Sequence, residues 1–344
     1  LIYKNKNMYS IIYIYMKVST INIKKKSWDK SFLNSRLEFN ISGNNINEVY
    51  LNSIRRTIFT NIPIYSFNNI KINKNTSVFN NNYMKLRLRN LPVIGIKNNE
   101  IFLKEEEKNN EDEEDFFDNN DFQDNYDFSI NENVNISSLN QLTMYLEYKN
   151  NTNDIVTVTT DDAKFYISQK SIQSPYKNKI PIIDLQPTQE ILLTAVTKLG
   201  SENKSSIYSP VAVNYYKHNK TKGYDYIIES RGQLSETRII EIAIMNINKQ
   251  LEELLKKIPD GKGMEDKLLI PNAGHTIGNL LSSGMQIHPG VSFAGYNMPH
   301  PLDNKILIQY KLKSGNLKKI IKDVINYYNN LNLQVMKIIK KSIN

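Results

Sequence analysis

Histidine is scarce in this chain, and the residues that could carry chemistry do not group into a catalytic or metal-binding pattern. There are four histidines, His218, His275, His288 and His300, and none stands at the spacing of a paired-histidine zinc motif. Asp161 and Asp162 are adjacent, so on a strand their carboxylates would point to opposite faces of the sheet. The glycines at 261–263 lack the spacing of a phosphate-binding loop. We therefore expect no catalytic residue and no cofactor.

The absence of cysteine narrows the chemistry further. The 344 residues contain none, which excludes disulfides, thiolate zinc sites, iron–sulfur clusters and a cysteine nucleophile. We therefore expect no bound metal. Separately, no apolar run reaches the ~20 residues of a membrane-spanning helix. The apolar segment 8–16 follows Lys4 and Lys6 and could belong to a secretory signal. An N-terminal extension over 1–18 is the preferred interpretation.

The charge of the chain is distributed unevenly. From Glu100 to Asp127 there are thirteen acidic residues and two lysines, a local charge of −11 within a chain of +9, so the remainder sums to +20. Such a tract repels itself and holds few aliphatic residues, which predicts a disordered loop. Calcium binding is an alternative, although the regular ligand spacing and the glycine of a calcium loop are missing. The basic remainder could face nucleic acid or acidic proteins.

Two consecutive arginines, Arg55 and Arg56, are the sharpest candidates for an interaction. They lie in a predicted helix, where neighbouring side chains project about 100° apart, so one can pair locally while the other reaches outward. A solvated basic helix face is the alternative. Guanidinium groups bind carboxylates and carbonyl groups through several hydrogen bonds at once, which makes an outward-facing arginine suitable for docking a partner.

The hydrophobic pattern predicts an α+β fold. Alternating apolar residues predict strands at 36–42, 141–149, 190–198, 224–229 and 304–312. A first helix should run to about Thr60, capped by Asn44 or Asn45. Two long helices, at 236–257 and 317–343, repeat apolar residues every three or four positions, which is typical of helices that pack on another helix and a sheet.

A helix–strand unit occurs twice in the chain. In each copy an asparagine in a helix, Asn52 or Asn279, is followed about ten residues later by a proline, Pro63 or Pro289, and then by a β-rich run. This repetition predicts two related halves joined in one polypeptide. Two such units are also common in unrelated α+β proteins.

These segments resemble the alpha-like assembly subunits of DNA-directed RNA polymerases. The tail resembles the archaeal L subunit and the eleventh subunit of polymerase II in HTIGNLL from His275, VSFAGY from Val291, HPL from His300 and the last helix. The front resembles the archaeal D subunit, the third subunit of polymerase II and the bacterial alpha N-terminal domain. The matching pieces are 51–59, 75–94, 158–165, 208–213 and 226–234. Both halves in one chain are similar to the fused subunit of some large cytoplasmic DNA viruses.

The resemblance implies alpha-subunit-like dimerisation domains that form an intrachain pseudodimer, with a β-rich inserted domain. The implied divisions are an extension at 1–18, a discontinuous D-like domain at 19–72 and 222–258, an inserted domain at 73–221 with an acidic disordered loop at 99–135, a linker at 259–267, and an L-like domain at 268–344. Many relatives carry a cysteine-rich loop in the inserted domain. The acidic tract stands there instead, so metal binding is not carried over.

The resemblance also implies which residues make contacts. Those expected to dock the large subunits are Asn52, Arg55, Arg56, Asn75, Thr76, Ser77 and Arg87, with Met84 and Leu88 in the same motif. Those expected at the pseudodimer interface are Ile240, Ile247, Leu251, His275, Thr276, Asn279, Leu280, Val324, Tyr328, Leu331, Val335 and Ile338. The acidic residues usual around positions 80–82 are replaced by asparagines, which puts a charge-based contact there in doubt.

The function expected from the resemblance is a non-catalytic scaffold on which the largest and second-largest polymerase subunits assemble for DNA-templated transcription. Small subunits resembling the tenth and twelfth of polymerase II are further expected partners, and DNA would be met only through the complex. The catalytic metal would lie on the large subunits. The expected location is the cytoplasm, a viral factory or the virion, with the nucleus possible. The alternative is a stand-alone basic nucleic-acid-binding protein, although no base-stacking motif is evident.

Overall fold

The computed structural model describes residues 21–29, 35–96, 98–102, 141–168, 170–219, 223–259, 263–300 and 305–342. The predicted N-terminal extension, most of the predicted acidic loop and the centre of the predicted linker lie outside the described residues. Helices and sheets are mixed along the chain, which confirms the α+β class. None of the described helices combines the length and the apolar character needed to cross a membrane.

The described residues divide into two compact units. The first, which we call the two-segment unit, comprises the described residues before Pro63 and those from Pro210 onward; the second, the β-rich unit, is Pro63–Ser209.

Two sheets and four helices make up the two-segment unit. Its strands are β1 (Asn22–Asp29), β2 (Arg36–Ser42), β10 (Val211–His218), β11 (Tyr224–Ser230), β12 (Glu265–Pro271), β13 (Val291–Asn297) and β14 (Lys305–Leu312). Its helices are α1 (Glu48–Asn61), α3 (Glu236–Lys256), α4 (His275–Ile287) and α5 (Leu317–Ser342). One antiparallel sheet has the order β1-β2-β11-β10, and the other has the order β12-β14-β13.

The β-rich unit carries one helix, α2 (Asn81–Arg89), among its described residues. Its strands are β3 (Ile64–Asn75), β4 (Leu142–Lys149), β5 (Val156–Thr159), β6 (Lys164–Ile167), β7 (Lys170–Ile172), β8 (Pro181–Leu185) and β9 (Glu190–Gly200). They form a five-stranded sheet with the order β3-β9-β4-β6-β7 and a two-stranded sheet of β5 and β8. Long apolar alternation had predicted β4 and β9, whereas the short strands β5 to β8 were not predicted.

Helix α1 begins later than its sequence predicts. Asn47, rather than Asn44 or Asn45, is its cap: its backbone is extended and its side chain accepts a hydrogen bond from the Tyr50 amide at 2.9 Å. Asn44 and Asn45 instead lie in a turn that the Ile46 amide closes on the Gly43 carbonyl. The predicted cap was wrong because three nearby asparagines share the same capping chemistry, and the backbone selects among them.

The predicted linker at 259–267 also overlaps a strand. Strand β12 begins at Glu265, which pairs in register with Lys311 of β14, and their side chains form an ion pair at 2.7 Å. Buried Leu268 and Ile270 anchor the same strand. Cross-strand pairing therefore extends β12 toward the glycines beyond the point that its apolar residues indicated.

Helices α3 and α5 supply a large share of the core of the two-segment unit. Their stripes are buried as predicted at Ile239, Ile240, Ala243, Ile247, Leu251 and Leu254, and at Ile320, Ile321, Val324, Tyr328, Leu331, Val335 and Ile339. The two helices pack against each other, and α3 also packs against α1. Each fully buried aliphatic side chain stabilises the fold by about 1.5–3 kcal/mol, so these stripes hold the four helices together.

On the β1-β2-β11-β10 sheet a buried carboxylate, Asp225, is surrounded by donors. It accepts hydrogen bonds from Lys26 at 2.6 Å, Asn40 at 2.8 Å and Asn219 at 3.1 Å. Burial alone would raise the pKa of Asp225, but the bonds from Lys26, Asn40 and Asn219 hold it below its usual value. Its contribution to stability is therefore present above the unfolded pKa of about 3.9 and is lost as the pH falls through the folded value.

Replacing this carboxylate should change how stability depends on pH. We expect Asp225→Asn to lower the free energy of unfolding at neutral pH by about 1–3 kcal/mol, because charge-assisted hydrogen bonds are lost. The difference from the parent should shrink as the pH falls from about 4 toward the lower folded-state pKa, because over that range the unfolded chain binds a proton that the folded carboxylate does not. Urea denaturation over a pH series measures this, and a difference that stays constant down to about pH 2 would contradict it.

Candidate docking and dimerisation surfaces

Two consecutive hydrogen bonds, the first buried and the second partly buried, join three helices of the two-segment unit. The Tyr50 hydroxyl of α1 donates to Asn332 Oδ1 of α5 at 2.7 Å, and Asn332 Nδ2 donates to Asn248 Oδ1 of α3 at 2.5 Å. Asn332 is completely buried, and Tyr50 is 1% exposed. A buried amide without partners is costly. Because both hydrogen bonds form in only one relative position of the three helices, they favour that register. None of the three was predicted as an interface residue, since Asn332 interrupts the apolar stripe that marks α5.

The residues predicted at the pseudodimer interface fall into two groups. Ile240, Ile247, Leu251, Leu280, Val324, Tyr328, Leu331 and Val335 are buried, whereas Thr276, Asn279 and Ile338 are partly exposed and His275 is exposed. Burial fits an interface and an ordinary core equally well. Their assignment to an interface between halves therefore stays a prediction.

Val324 and Tyr328 of α5 pack against α4. Both helices come after the predicted linker and therefore belong to the C-terminal half. A Cβ added at Gly284 of α4 would lie 2.4 Å from Val324 Cγ1 and 2.8 Å from the Tyr328 ring. The Tyr328 hydroxyl donates to the Leu280 carbonyl at 3.0 Å. Gly284 thus allows α4 and α5 to approach closely within the C-terminal repeat.

The two predicted docking arginines have different surroundings. Arg55 donates twice to Asn52 Oδ1, from Nε at 3.1 Å and from Nη2 at 3.0 Å, and its guanidinium lies 5.9 Å from the centre of the Phe59 ring. Its carbonyl accepts from Asn214 of β10. Arg55 is therefore held within its own unit, and its neighbour is the more exposed of the pair.

Arg56 reaches the second repeat. Its Nε donates to Thr276 Oγ1, near the start of α4, at 2.9 Å. Both residues line a polar cleft of about 220 Å³ together with Asn52, Ser53, His275, Asn279 and Tyr296. The lining contains no carboxylate, and the first-turn amides of α4 carry the positive end of the helix dipole. This surface, which we call the α1–α4 cleft, suits an anionic group.

The corresponding asparagines of the two repeats meet at this cleft. Asn52 lies on α1 and Asn279 on α4, and these two helices pack against each other. Arg56 and Thr276, predicted separately for docking and for the interface, are therefore neighbours. The sequence alone did not indicate this, because the residues are 220 positions apart.

The other predicted docking residues lie in the β-rich unit, where three of them build a loop. Asn75 Nδ2 donates to the Phe79 carbonyl at 2.8 Å, and Asn75 Oδ1 accepts from the Ser77 amide at 3.0 Å and its hydroxyl at 2.6 Å. The Thr76 amide and hydroxyl bind the backbone of Glu190 on β9. These polar groups are engaged in holding the loop in place.

Arg87, the remaining predicted docking residue, lies on the exposed side of α2. Its Nη2 donates to the Pro181 carbonyl at 3.2 Å. Met84 and Leu88, from the same motif, are buried beneath the helix. The motif therefore has an inner side that fixes the helix and an outer side that faces solvent.

The described residues were predicted to hold no metal site, and they show no metal-binding cluster. Within these ranges no group of three or more His, Asp or Glu side chains could hold a metal ion. Buried His288 accepts from the Gly290 amide at 3.0 Å, and burial lowers its pKa despite Asp323 at 3.7 Å. That arrangement fits a structural histidine. The absence of a metal or cofactor in the protein stays a prediction.

Comparison with known proteins gives matches that agree with this arrangement. Residues 267–337 match the family model described as the RNA polymerase Rpb3/Rpb11 dimerisation domain. This range contains α4 and most of α5, the helices that carry the Tyr328 and Asn332 contacts.

Whole-chain similarity extends to a viral protein. The chain is 26% identical over 329 residues to a putative DNA directed RNA polymerase subunit of Acanthamoeba polyphaga mimivirus, covering 89% of this chain and 90% of that protein. Shorter matches are to the RNA polymerase subunit Rpo11 of Saccharolobus solfataricus, 44% identical over 12% of this chain and 47% of that one, and to a probable RNA polymerase II subunit RPB11 of Plasmodium chabaudi chabaudi, 37% identical over 22% and 60%. The resemblance to alpha-like subunits of DNA-directed RNA polymerases is confirmed.

Removing the central amide of the three-helix network should be costly. We expect Asn332→Ala to lower the free energy of unfolding by about 2–4 kcal/mol, because the buried Tyr50 hydroxyl and the Asn248 amide each lose a partner. Urea denaturation, followed through the unfolding transition of the two-segment unit, measures this free energy.

The matched control is Asn330→Ala, the same change at an exposed position of the same helix. It should alter stability by less than about 0.5 kcal/mol. Equal effects of the two substitutions would show that the network does not hold the helices in register.

Proposed function

We propose that this chain is a non-catalytic assembly subunit of a multisubunit DNA-directed RNA polymerase, and that its two alpha-like halves form a pseudodimer on which the large subunits dock. The observation that carries the proposal is the α1–α4 cleft. There the equivalent helices of the two repeats pack together, and Arg56 of one binds Thr276 of the other.

Contacts between the repeats support the pseudodimer. Helix α3 belongs to the front half and α5 to the tail, and they pack through long apolar stripes. The Tyr50–Asn332–Asn248 bonds add a polar connection that tolerates little displacement. Such a core would hold two halves together without help from the linker.

The β-rich unit corresponds in this proposal to the inserted domain. It is one continuous stretch, Pro63–Ser209, lying in the chain between the two segments of the other unit. That arrangement supports the discontinuous D-like domain implied by the sequence motifs, with boundaries nearer 62 and 210 than the predicted 72 and 222.

The proposed partners are the largest and second-largest polymerase subunits, with small subunits resembling the tenth and twelfth of polymerase II as further candidates. A cytoplasmic viral factory or the virion is the proposed location, supported by the mimivirus relative. Nucleotidyl transfer and its metal would belong to the large subunits. The alternative of a stand-alone nucleic-acid-binding protein is not favoured by these matches.

Reversing the charge in the α1–α4 cleft tests the docking role. In co-expression with the two large subunits encoded by the same genome, Arg56→Glu should reduce co-purification of the second-largest subunit at least about tenfold. A single charged contact of this kind is worth about 1.4 kcal/mol or more, which corresponds to that factor. Quantitative mass spectrometry of the purified complex provides the measurement.

Lys322→Glu is the control, because it makes the same charge change at an exposed helical position of the same unit. It should leave recovery of both large subunits unchanged. If Arg56→Glu recovers as much of the second-largest subunit as the parent does, Arg56 is not part of the docking surface.

A cut in the linker tests the pseudodimer. A specific protease site placed between Asp260 and Gly263 should, once cleaved, leave the two pieces associated at micromolar concentration, because the helix stripes rather than the tether hold them. Size-exclusion chromatography with light scattering measures the mass of the cleaved and uncleaved protein. If the two pieces separate into monomers, the halves are ordinary consecutive domains and the pseudodimer proposal is wrong.

A further inference from the structure

An exposed apolar surface covers α2 and the loop before it. Val78 and Phe79 of the loop and Tyr83 and Leu86 of the helix are 71%, 40%, 42% and 48% exposed, and Phe79 stacks on Tyr83. We call these four residues the α2 patch. Large apolar side chains that cluster on a surface mark an interaction site more often than isolated ones do.

The α2 patch is held in place before any partner arrives. Asn75 and Ser77 brace the loop from within, and Asn80 caps α2 by accepting from the Tyr83 amide at 2.8 Å. The Phe79 and Tyr83 rings stack with centroids 4.5 Å apart. Beneath them Met84 and Leu88 are buried and fix the helix. A preformed surface loses less conformational entropy on binding, so more of its contact energy remains as affinity.

The charge of α2 indicates the chemistry of the partner. The helix contains Lys85, Arg87 and Arg89 and no acidic residue, and the loop before it adds none. A second copy of this chain would bring like charges together, which disfavours self-association through the patch. A partner surface that is apolar at its centre and carries carboxylates around it would be complementary.

We propose that the α2 patch binds another polypeptide of the polymerase, through an apolar surface flanked by Asp or Glu side chains. The proposal rests on the assembly function above and deepens it. It reassigns the roles within the predicted docking motif: Asn75, Thr76 and Ser77 are positioning residues that build the loop, and Val78, Phe79, Tyr83 and Leu86 make the contact.

Single-stranded nucleic acid is the other class of partner that basic and aromatic residues can bind. The geometry favours a protein. Phe79 and Tyr83 stack on each other at an interplanar angle of 21°, so each ring has one face already covered. Val78 and Leu86 offer neither stacking nor hydrogen bonds to a base, and Arg87 already binds the Pro181 carbonyl.

The test compares polar replacements at matched exposure. In the co-expressed complex, Phe79→Ser with Leu86→Ser should reduce recovery of at least one partner subunit about tenfold or more, while the protein keeps a cooperative thermal transition, because neither side chain belongs to the buried core. Leu333→Ser is the control: Leu333 is 52% exposed on a helix of the other unit. Its recovery of all partners should equal that of the parent.

Photocrosslinking identifies the occupant. A photoreactive phenylalanine in place of Tyr83, in the assembled complex, should crosslink to a partner peptide containing apolar residues and Asp or Glu. Crosslinks to nucleic acid, or to a second copy of this chain, would overturn the proposal. So would full recovery of every partner by the double variant.

The same experiment separates the two proposals. If the parent recovers the large subunits, Arg56→Glu loses the second-largest one and the α2 double variant retains every partner, the assembly function stands and the α2 patch assignment falls. If the parent recovers no polymerase subunit, both fall.

Discussion

The structure of the two-segment unit depends on one buried amide. Asn332 has no exposed surface; its Oδ1 accepts a hydrogen bond from the Tyr50 hydroxyl, and its Nδ2 donates one to Asn248 Oδ1. Three helices must therefore stand in one relative register for both bonds to form. Apolar stripes alone allow helices to slide by a turn at modest cost, because one aliphatic contact resembles another. A buried polar group removes that freedom, since a displaced helix would leave it without partners.

This constraint reaches the protein surface through α1. Tyr50 fixes α1 against α5, and Arg56 lies less than two turns further along the same helix, where it binds Thr276. The α1–α4 cleft is thus completed by packing in the core. A partner that recognises the cleft would recognise both repeats at once, so an incompletely folded chain would present only half of the surface. For the docking proposed above, correct folding would then be a condition.

The sequence predicted the long elements well, for physical reasons. Leu37, Phe39 and Ile41 alternate in β2, and the stripes of α3 and α5 repeat every three or four residues over many turns. A pattern that repeats over many residues can be told from chance, whereas the three or four residues of β5, β6 and β7 are too few to show an alternation. Asn332 was missed because a polar residue in an apolar stripe reads as an interruption, although burial makes it the most specific residue there.

The sequence also could not show that two neighbouring residues of the same type have different roles. Arg55 and Arg56 are chemically identical, yet Asn52 and Phe59 engage the first while the second reaches Thr276. In the loop before α2, polar residues that match a docking motif turn inward, and the apolar residues between them face solvent. A motif records which residues are needed together. Only their bonds show which build the surface and which are left to meet a partner, so an interface is best sought among the side chains that the fold itself does not use.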